Sequence, residues 1–193
     1  KVIGVQNSID QFFYEDNGKK YMFWGSFRGI YATELTDNGL EIKKKTDGTP
    51  VLKKRICGNR FEGTNIYKRG EYYYLFASIG TCCNGATSTY QTVVGRSKNV
   101  LGPYLDKTGR DMLYDYCEII MSGNETWAGP GHNSILIQDD VGTDWIIYHG
   151  YKKKEAENGR YVLMDKLIWS NDGWPSVKSN APSILEVAPY FQK

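Results

Sequence analysis

Short stretches in which apolar and polar residues alternate recur along the chain, separated by polar turns that contain glycine. This alternation is typical of strands, and no segment of about ten residues keeps a helical period. One pattern occurs three times: a polar residue, an apolar strand, a turn, an aromatic strand and a further strand. The copies comprise residues 10–35, 62–97 and 132–169. The repeat predicts an all-β array.

The repeat length is typical of a β-propeller, whose blades of roughly 40 to 50 residues each hold short strands. A propeller closes with about 4 to 8 blades, so this chain is long enough for only part of one. The sequence predicts a single partial propeller domain over residues 1–193, with repeats at about 7–50, 57–105 and 129–175. Residues 117–121 are predicted to form an outer strand.

Composition says more about the kind of partner that the chain binds than about its fold. Lys and Arg total 24 against 22 for Asp and Glu, and a net charge of +2 does not favour nucleic acid or an anionic membrane. The 15 Tyr, 7 Phe and 5 Trp suit sugar binding. No apolar run approaches the roughly 20 residues of a membrane helix. Because the chain begins with Lys1, we expect any targeting signal to lie upstream.

The four cysteines do not have the spacing of a zinc site, which requires paired C-x-x-C motifs. Cys57 and Cys117 are interpreted as small hydrophobic residues of the core. Cys82 and Cys83 are adjacent in the sequence. For this pair the sequence favours two reduced thiols over a vicinal disulfide.

Three ionisable residues, Asp10, Glu62 and His132, stand at the start of the first strand of their copies. Blades are related by rotation about one axis, and their innermost strands line a central channel. We therefore expect these three side chains to converge on the channel. The alternative is that each caps a turn or a strand entrance.

Paired carboxylates, one protonated and one ionised, are what hydrolysis of a glycosidic bond requires. Glu62 stands between Phe61 and Gly63, an apolar setting that favours the protonated acid needed at a leaving oxygen. Asp10 would keep that proton in place by repulsion, or orient the acid or a sugar hydroxyl. His132 lies in a glycine-rich stretch and is either a metal or water ligand or a hydrogen-bonded channel histidine.

Several motifs occur in an order that resembles glycoside hydrolase family 43. They are Asn7-Ser8-Ile9-Asp10, residues 23–27, Glu62-Gly63 with residues 72–76, residues 80–85 with 88–90, and then 94–97, 102–104, 129–134 and 172–175. Within the family, the Cys-Cys and Ser-Thr-Tyr stretch is most similar to the endo-1,5-α-L-arabinanase branch. The resemblance spans nearly the whole chain.

The resemblance implies a five-bladed propeller that hydrolyses arabinofuranosyl or xylosyl linkages with inversion, using three acidic residues. It implies that Glu62 is the general acid and that Asp10 tunes and orients that acid. The third residue, an aspartate base, belongs to an upstream motif that has no match here. Asp16, Asp37 and Asp47 lack that motif. We therefore expect this chain alone to be inactive, because inverting hydrolysis needs the base.

The resemblance also implies residues that contact sugar and metal. Those implied for the sugar cleft are Trp24, Ser26, Phe27, Cys82, Ser88, Thr89 and Tyr90. Trp24 offers a flat apolar face to a furanose ring, and the alternative for it is core packing between blades. His132 is implied to face a central Ca²⁺ held largely by water, although calcium prefers oxygen ligands.

The leading hypothesis is a secreted or periplasmic glycosidase that cleaves α-L-arabinofuranosyl linkages in arabinan or a related plant polysaccharide. The alternatives are an exo-acting α-L-arabinofuranosidase or β-xylosidase, and a non-catalytic propeller that binds sugar. An upstream strand with a His-Asp-Pro-like motif would favour the enzyme. We also expect a companion N-terminal fragment to complete the propeller, because an open edge blade exposes unpaired strand groups.

Overall fold

Short strands make up most of the regular structure in the computed structural model, which describes residues 2–192. The strands are β1 (Phe12–Asp16), β2 (Lys19–Trp24), β3 (Ile30–Glu34), β4 (Lys54–Cys57), β5 (Glu62–Arg69), β6 (Tyr72–Ile79), β7 (Gln91–Ser97), β8 (Glu118–Met121), β9 (Trp127–Gly131), β10 (Ile137–Gln138), β11 (Asp144–Lys152), β12 (Arg160–Lys166), β13 (Ile168–Trp169) and β14 (Pro175–Ser176). Short 3₁₀ helices span Gly85–Thr87, Met112–Tyr114, Lys153–Asn158 and Lys178–Asn180. Within the described residues none of these helices is long and apolar enough to cross a membrane. The predicted all-β fold is confirmed.

The strands pair into sheets that follow chain order. One sheet has the order β1-β2-β3-β4 and another the order β5-β6-β7-β8. In a third sheet, β11 pairs with β12 on one edge and with β9 and β10 on the other. Strands β13 and β14 form a two-stranded sheet. The predicted copies over residues 10–35 and 62–97 contain β1 to β3 and β5 to β7.

Packing divides the chain into two compact units. Unit 1 runs up to Phe76 and resumes over Val94–Glu118, and unit 2 comprises Ala77–Val93 and the chain from Ile119 onward. Strands β6, β7 and β8 contain residues of both units. Each unit has its own buried apolar residues. They include Phe23, Ile30, Phe61, Leu75 and Tyr104 in unit 1, and Tyr90, Val93, Met121, Trp145 and Ile146 in unit 2.

The first hairpin shows how local sequence sets the strands of unit 1. Asn17 and Gly18 form its turn, with φ values of 50° and 74°. Two consecutive residues with positive φ are typical of a type I′ hairpin turn, which Asn-Gly favours. The resulting register places Tyr14 opposite Tyr21, and such aromatic pairs across a hairpin stabilise it.

The third copy of the repeat departs from the prediction at its first strand. The sequence predicted a strand that begins at His132, but β9 ends at Gly131 and β10 begins only at Ile137. His132 has φ of 50°, and a left-handed residue interrupts an extended ladder. Glu62 therefore begins its strand, Asp10 precedes β1 and His132 follows β9, so the three residues do not occupy equivalent strand positions.

A buried polar pair links β11 to β12 in unit 2. Tyr148 and Asp165 are both buried, and the Tyr148 hydroxyl donates a hydrogen bond to Asp165 Oδ2. The Ser183 N–H also donates to Asp165 Oδ1 at 3.2 Å. Burial, followed by the neighbouring Asp165 carboxylate, raises the pKa of Tyr148 well above its ordinary value. The Tyr148 phenol therefore stays protonated and keeps donating to Asp165.

We expect Tyr148→Phe to lower the free energy of unfolding by about 1.5–3 kcal/mol, because it leaves a buried carboxylate without its hydroxyl donor. Tyr151→Phe, on the same strand, is the control. The Tyr151 hydroxyl makes no hydrogen bond within the described residues, so its loss is expected to change stability by less than about 0.5 kcal/mol. Urea denaturation of both variants measures the difference. Equal losses would contradict the assigned role of the Tyr148–Asp165 pair.

Candidate functional site

Glu62, the first residue of β5, has a buried side chain that is 7% exposed. The Ser26 hydroxyl, which is also buried, donates a hydrogen bond to Glu62 Oε2 over 2.7 Å. A carboxylate is stable away from water only where such donors replace its hydration. This carboxylate–hydroxyl pair is the centre of the candidate site in unit 1.

Ser26, whose hydroxyl donates to Glu62, lies in the turn after β2. The Phe27 N–H donates to the carbonyl oxygen of Phe61 at 3.0 Å, directly before Glu62 in the chain. Gly25 has φ of 122°, and a Cβ at this position would overlap the carbonyl oxygen of Gly29. Only glycine therefore allows the turn to close this tightly.

The segment before β1 is attached to the same turn. The Gly25 N–H donates to the Ile9 carbonyl at 3.0 Å, and Asn7 Nδ2 donates to the Ser26 carbonyl at 2.6 Å. Asp10 follows Ile9 directly and is half-buried. The segment that carries Asp10 and the strand that carries the buried carboxylate are thus both held by one turn of unit 1.

Left-handed backbone conformations are concentrated at these positions. Asn7, Asp10 and Phe27 have φ values of 53°, 58° and 48°. Such conformations of non-glycine residues cost of order 1–3 kcal/mol each and persist where surrounding structure requires them, often at functional sites. The observed strain therefore marks this turn and the segment before β1 as a candidate site, independently of the motif resemblance.

The aromatic residues predicted to line the cleft in unit 1 have different exposures. Trp24 is 0% exposed, and its ring centroid lies 6.1 Å from that of Tyr31. In this structure it presents no face to a sugar, and core packing, the alternative interpretation, describes its position. Phe27 is 36% exposed, so it can contact a ligand beside the Ser26–Glu62 pair.

The other predicted cleft residues lie in unit 2, on the loop between β6 and β7. At the neck of the loop, the Thr81 N–H donates to Thr89 Oγ1 at 3.1 Å, and Ser88 Oγ donates to the Thr81 carbonyl at 2.6 Å. A disulfide joins Cys82 to Cys83, which corrects the expectation of reduced thiols. The loop brings the two sulfur atoms together, and sequence spacing alone does not indicate that geometry.

Both histidines of the chain lie in unit 2 with their rings stacked. The ring centroids of His132 and His149 are 6.2 Å apart, and those of Tyr90 and His149 are 5.8 Å apart. Tyr90 is buried, so in this structure it supports His149 and does not face solvent as a sugar platform would. The His132 N–H donates to Ser78 Oγ at 2.8 Å.

Sequence reasoning missed His149. Its pairing with Gly131 in the ladder between β11 and β9 brings it to His132, and such a non-local register has no local signature. A Cβ on Gly131 would overlap the Tyr90 ring, so this glycine makes room for the stack. Gly131, directly before His132, is the one feature of the sequence that indicates close packing at this point.

Burial, more than the nearby charges, keeps the imidazole of His149 neutral. Burial lowers the pKa of His149 to about 4, with smaller contributions from the Arg160 guanidinium and from His132. Arg160 Nη1 lies 3.3 Å from His149 Nε2. A guanidinium can only donate, so Nε2 is the acceptor in this contact, while the buried Nδ1 has no hydrogen-bond partner among the described residues.

The residues around His132 do not form a calcium site by themselves. Among residues 2–192, no group of three or more His, Cys, Asp or Glu stands together in a way that could hold a metal ion. The ring next to His132 is another imidazole, whereas calcium prefers oxygen ligands. Calcium at His132 stays a prediction of the sequence.

Four-stranded sheets in chain order are typical of the blades of a β-propeller, and a buried carboxyl group is suited to act as the acid of a glycoside hydrolase. Comparison with known families agrees with that class. The model for glycosyl hydrolases family 43 matches residues 1–175. The chain belongs to this family, and the predicted family is confirmed.

The chain is similar to enzymes that act on arabinan. It is 36% identical over 173 residues to an extracellular exo-α-(1→5)-L-arabinofuranosidase of Cellvibrio japonicus, covering 84% of this chain and 49% of that protein. It is 35% identical over 173 residues to the extracellular endo-α-(1→5)-L-arabinanase 1 of Bacillus subtilis, covering 88% and 50%. The structure of Cellvibrio cellulosa α-L-arabinanase complexed with arabinohexaose matches with a TM-score of 0.74 and 34% identity, covering 89% and 57%. The chain spans about half the length of the curated relatives it matches.

We expect the free energy of unfolding to decrease as the pH is lowered from about 6.5 to about 4, in part because of His149. A histidine in the unfolded chain has a pKa of about 6.5, whereas folded His149 stays neutral down to about 4. The unfolded state therefore binds more protons in this window, and acid favours unfolding. His149→Gln should flatten this part of the pH profile in urea denaturation. Identical slopes for the variant and the parent would contradict the assignment.

Proposed function

We propose that this chain is part of a glycoside hydrolase that cleaves α-L-arabinofuranosyl linkages in arabinan or a related plant polysaccharide. The observation that carries the proposal is the buried Glu62 carboxylate, hydrogen-bonded to Ser26, in a chain of glycosyl hydrolases family 43. Relatives named as an arabinofuranosidase and an arabinanase support this class of substrate.

In the proposed reaction Glu62 is the general acid. One carboxyl oxygen, Oε1, gives its proton to the leaving glycosidic oxygen as the bond to the sugar breaks. The Ser26 hydroxyl bonds to the other oxygen, Oε2, and so holds the carboxyl group in one orientation. The same hydrogen bond strengthens when Glu62 becomes an anion, because charge-assisted hydrogen bonds are stronger than neutral ones. Ser26 is therefore proposed as a positioning residue.

Asp10 is proposed to tune and orient the acid. Its segment is bound to the turn that carries Ser26, and its left-handed backbone, with φ of 58°, fixes the direction in which the side chain leaves the chain. In this proposal the Asp10 carboxylate acts through like-charge repulsion, by which one carboxylate disfavours the ionisation of another close to it. Inversion then requires a base on the opposite face of the sugar.

We propose that this base lies outside the 193 residues, so that the chain alone is inactive. The three other aspartates considered in the sequence have structural surroundings. Asp16 accepts a hydrogen bond from the Tyr73 hydroxyl at 2.6 Å, and Asp47 accepts one from the Thr49 hydroxyl at 2.6 Å. Asp37 has a fully exposed side chain. None of these settings resembles that of a catalytic base.

The proposed protein is a five-bladed propeller that is completed by polypeptide outside this chain. The four-stranded sheets β1-β2-β3-β4 and β5-β6-β7-β8 support this proposal. A companion N-terminal segment would contribute the remaining strands and the base. We propose a secreted or periplasmic location, because both curated relatives are described as extracellular.

Exo-acting cleavage is the second candidate, because identity to the exo-acting relative, at 36%, is as high as that to the endo-acting one, at 35%. An exo-acting α-L-arabinofuranosidase or β-xylosidase would release single sugars first, whereas an endo-acting arabinanase would release longer oligosaccharides first. A non-catalytic sugar-binding propeller would bind arabinan without releasing products. Time-resolved analysis of products from debranched arabinan separates the three.

We expect Glu62→Gln, made in the complete polypeptide that contains this chain, to lower kcat/KM on debranched arabinan by about 100-fold or more, the usual contribution of a general acid. Glu71→Gln changes an exposed glutamate of unit 1 and should leave activity unchanged. Full activity of Glu62→Gln would refute the assignment. So would the absence of any product from debranched arabinan, arabinoxylan and aryl arabinofuranosides with the parent protein.

We expect Ser26→Ala to lower kcat roughly tenfold or more, because a hydrogen bond to a charged group contributes about 1.5–3 kcal/mol. KM should change little, since Ser26 contacts the acid rather than the sugar. Ser97→Ala removes another buried serine hydroxyl of unit 1, which accepts the Asn99 N–H at 3.0 Å, and serves as the control for packing. An equal loss of kcat in both variants would indicate a structural role alone.

A further inference from the structure

Unit 1 contains a cavity of about 490 Å³ at the end of β7, within the size range of ligand sites. Its walls come from β6, β7 and the loop that follows, and they include Tyr72, Arg96, Lys98, Pro103, Leu105 and Lys107. None of the lining residues belongs to the segment before β1, the turn after β2 or the start of β5. The cavity is therefore separate from the candidate active site.

The floor of the cavity is apolar and is held by backbone pairing. Tyr72, Pro103 and Leu105 supply its apolar surface. Arg96 and Leu105 exchange two backbone hydrogen bonds, of 2.9 and 2.8 Å. These bonds attach the loop to β7, so the shape of the floor exists before any ligand binds. A preformed floor reduces the ordering cost of binding.

The rim of the cavity carries cations beside an aromatic ring. The Arg96 guanidinium carbon lies 4.5 Å from the Tyr72 ring centroid, and Lys98 Nζ lies 5.6 Å from it. A guanidinium stacked on a ring keeps its N–H groups directed outward in its own plane, where they can bind a carboxylate. Lys107 adds a third positive charge.

The acidic groups near the cavity are Asp106, Glu71 and Glu118, of which Glu118 accepts the Lys107 N–H at 2.8 Å. Asp106 is the one carboxylate in the lining. It accepts the Thr108 and Arg110 N–H groups at 2.9 Å and Arg110 Nε at 2.8 Å, and its side chain has no exposed surface. Glu71 lies 3.3 Å from Lys98 but is 80% exposed. Such an exposed ion pair is weak, so a ligand carboxylate can replace it.

We propose that this cavity binds an acidic sugar, a hexuronate residue, as a second carbohydrate site of the chain. A hexuronate has an apolar ring face for the Tyr72 side of the floor and a planar carboxylate for Arg96 and Lys98. A neutral sugar lacks the carboxylate, and inorganic phosphate lacks the apolar face. The inference rests on the cavity alone and does not depend on the reaction proposed for Glu62.

The test is calorimetric titration of the 193-residue chain with trigalacturonate. Arg96→Gln and Lys98→Gln each remove one rim charge, and each should weaken binding at least fivefold. Lys98 is exposed, so its substitution leaves the fold intact, and thermal unfolding checks the Arg96 variant. Lys154→Gln removes an exposed lysine of unit 2 and should leave binding unchanged.

Three results would overturn the proposal. The first is absence of trigalacturonate binding, or binding that neither rim variant weakens. The second is equal affinity for galactotriose, the neutral counterpart, which would remove the role of the carboxylate. The third is equal affinity for inorganic phosphate, which would make the cavity a general anion site. None of these outcomes bears on the effect of Glu62→Gln, so the two proposals fail separately.

Discussion

The burial of the Glu62 carboxylate is the constraint on which the structure of unit 1 depends. A buried carboxylate costs several kcal/mol unless hydrogen-bond donors replace water, and Ser26 supplies one at 2.7 Å. The Ser26 hydroxyl reaches Glu62 because the chain turns sharply at Gly25, where no other side chain fits. Backbone hydrogen bonds then attach that turn to Phe61 and to Ile9. The fold of this region and the candidate site are therefore built from the same interactions.

That arrangement includes strained backbone conformations at residues of the candidate site. Asn7, Asp10 and Phe27 all have left-handed backbones, although none is glycine. The Asn7 side-chain amide offsets part of this cost by donating to the Ser26 carbonyl. The surrounding hydrogen bonds hold these backbone conformations, so each side chain has a fixed orientation. An acid and its partner require such fixed orientations.

Unit 2 fixes its candidate residues by packing rather than by a buried charge. Tyr90, His149 and His132 form a row of stacked rings, and Gly131 is small enough to admit Tyr90. The position of His149 among these rings and beside Arg160 keeps its imidazole neutral. The loop from Thr81 to Thr89 adds hydrogen bonds at its neck. A neutral His149 can lie close to the Arg160 guanidinium, whereas a charged imidazole would be repelled.

The sequence by itself determined the all-β class, the hairpin at Asn17-Gly18 and the family, because alternation, turn chemistry and motif order are local properties of the chain. It also singled out Ser26 and Glu62 through family motifs. The tertiary structure alone decided that Trp24 packs in the core, that His132 follows a strand instead of beginning one, and that His149 stacks on His132. These features depend on strand register and on contacts between residues distant in sequence. Period-two patterns specify which face a side chain occupies but not which strand lies beside it.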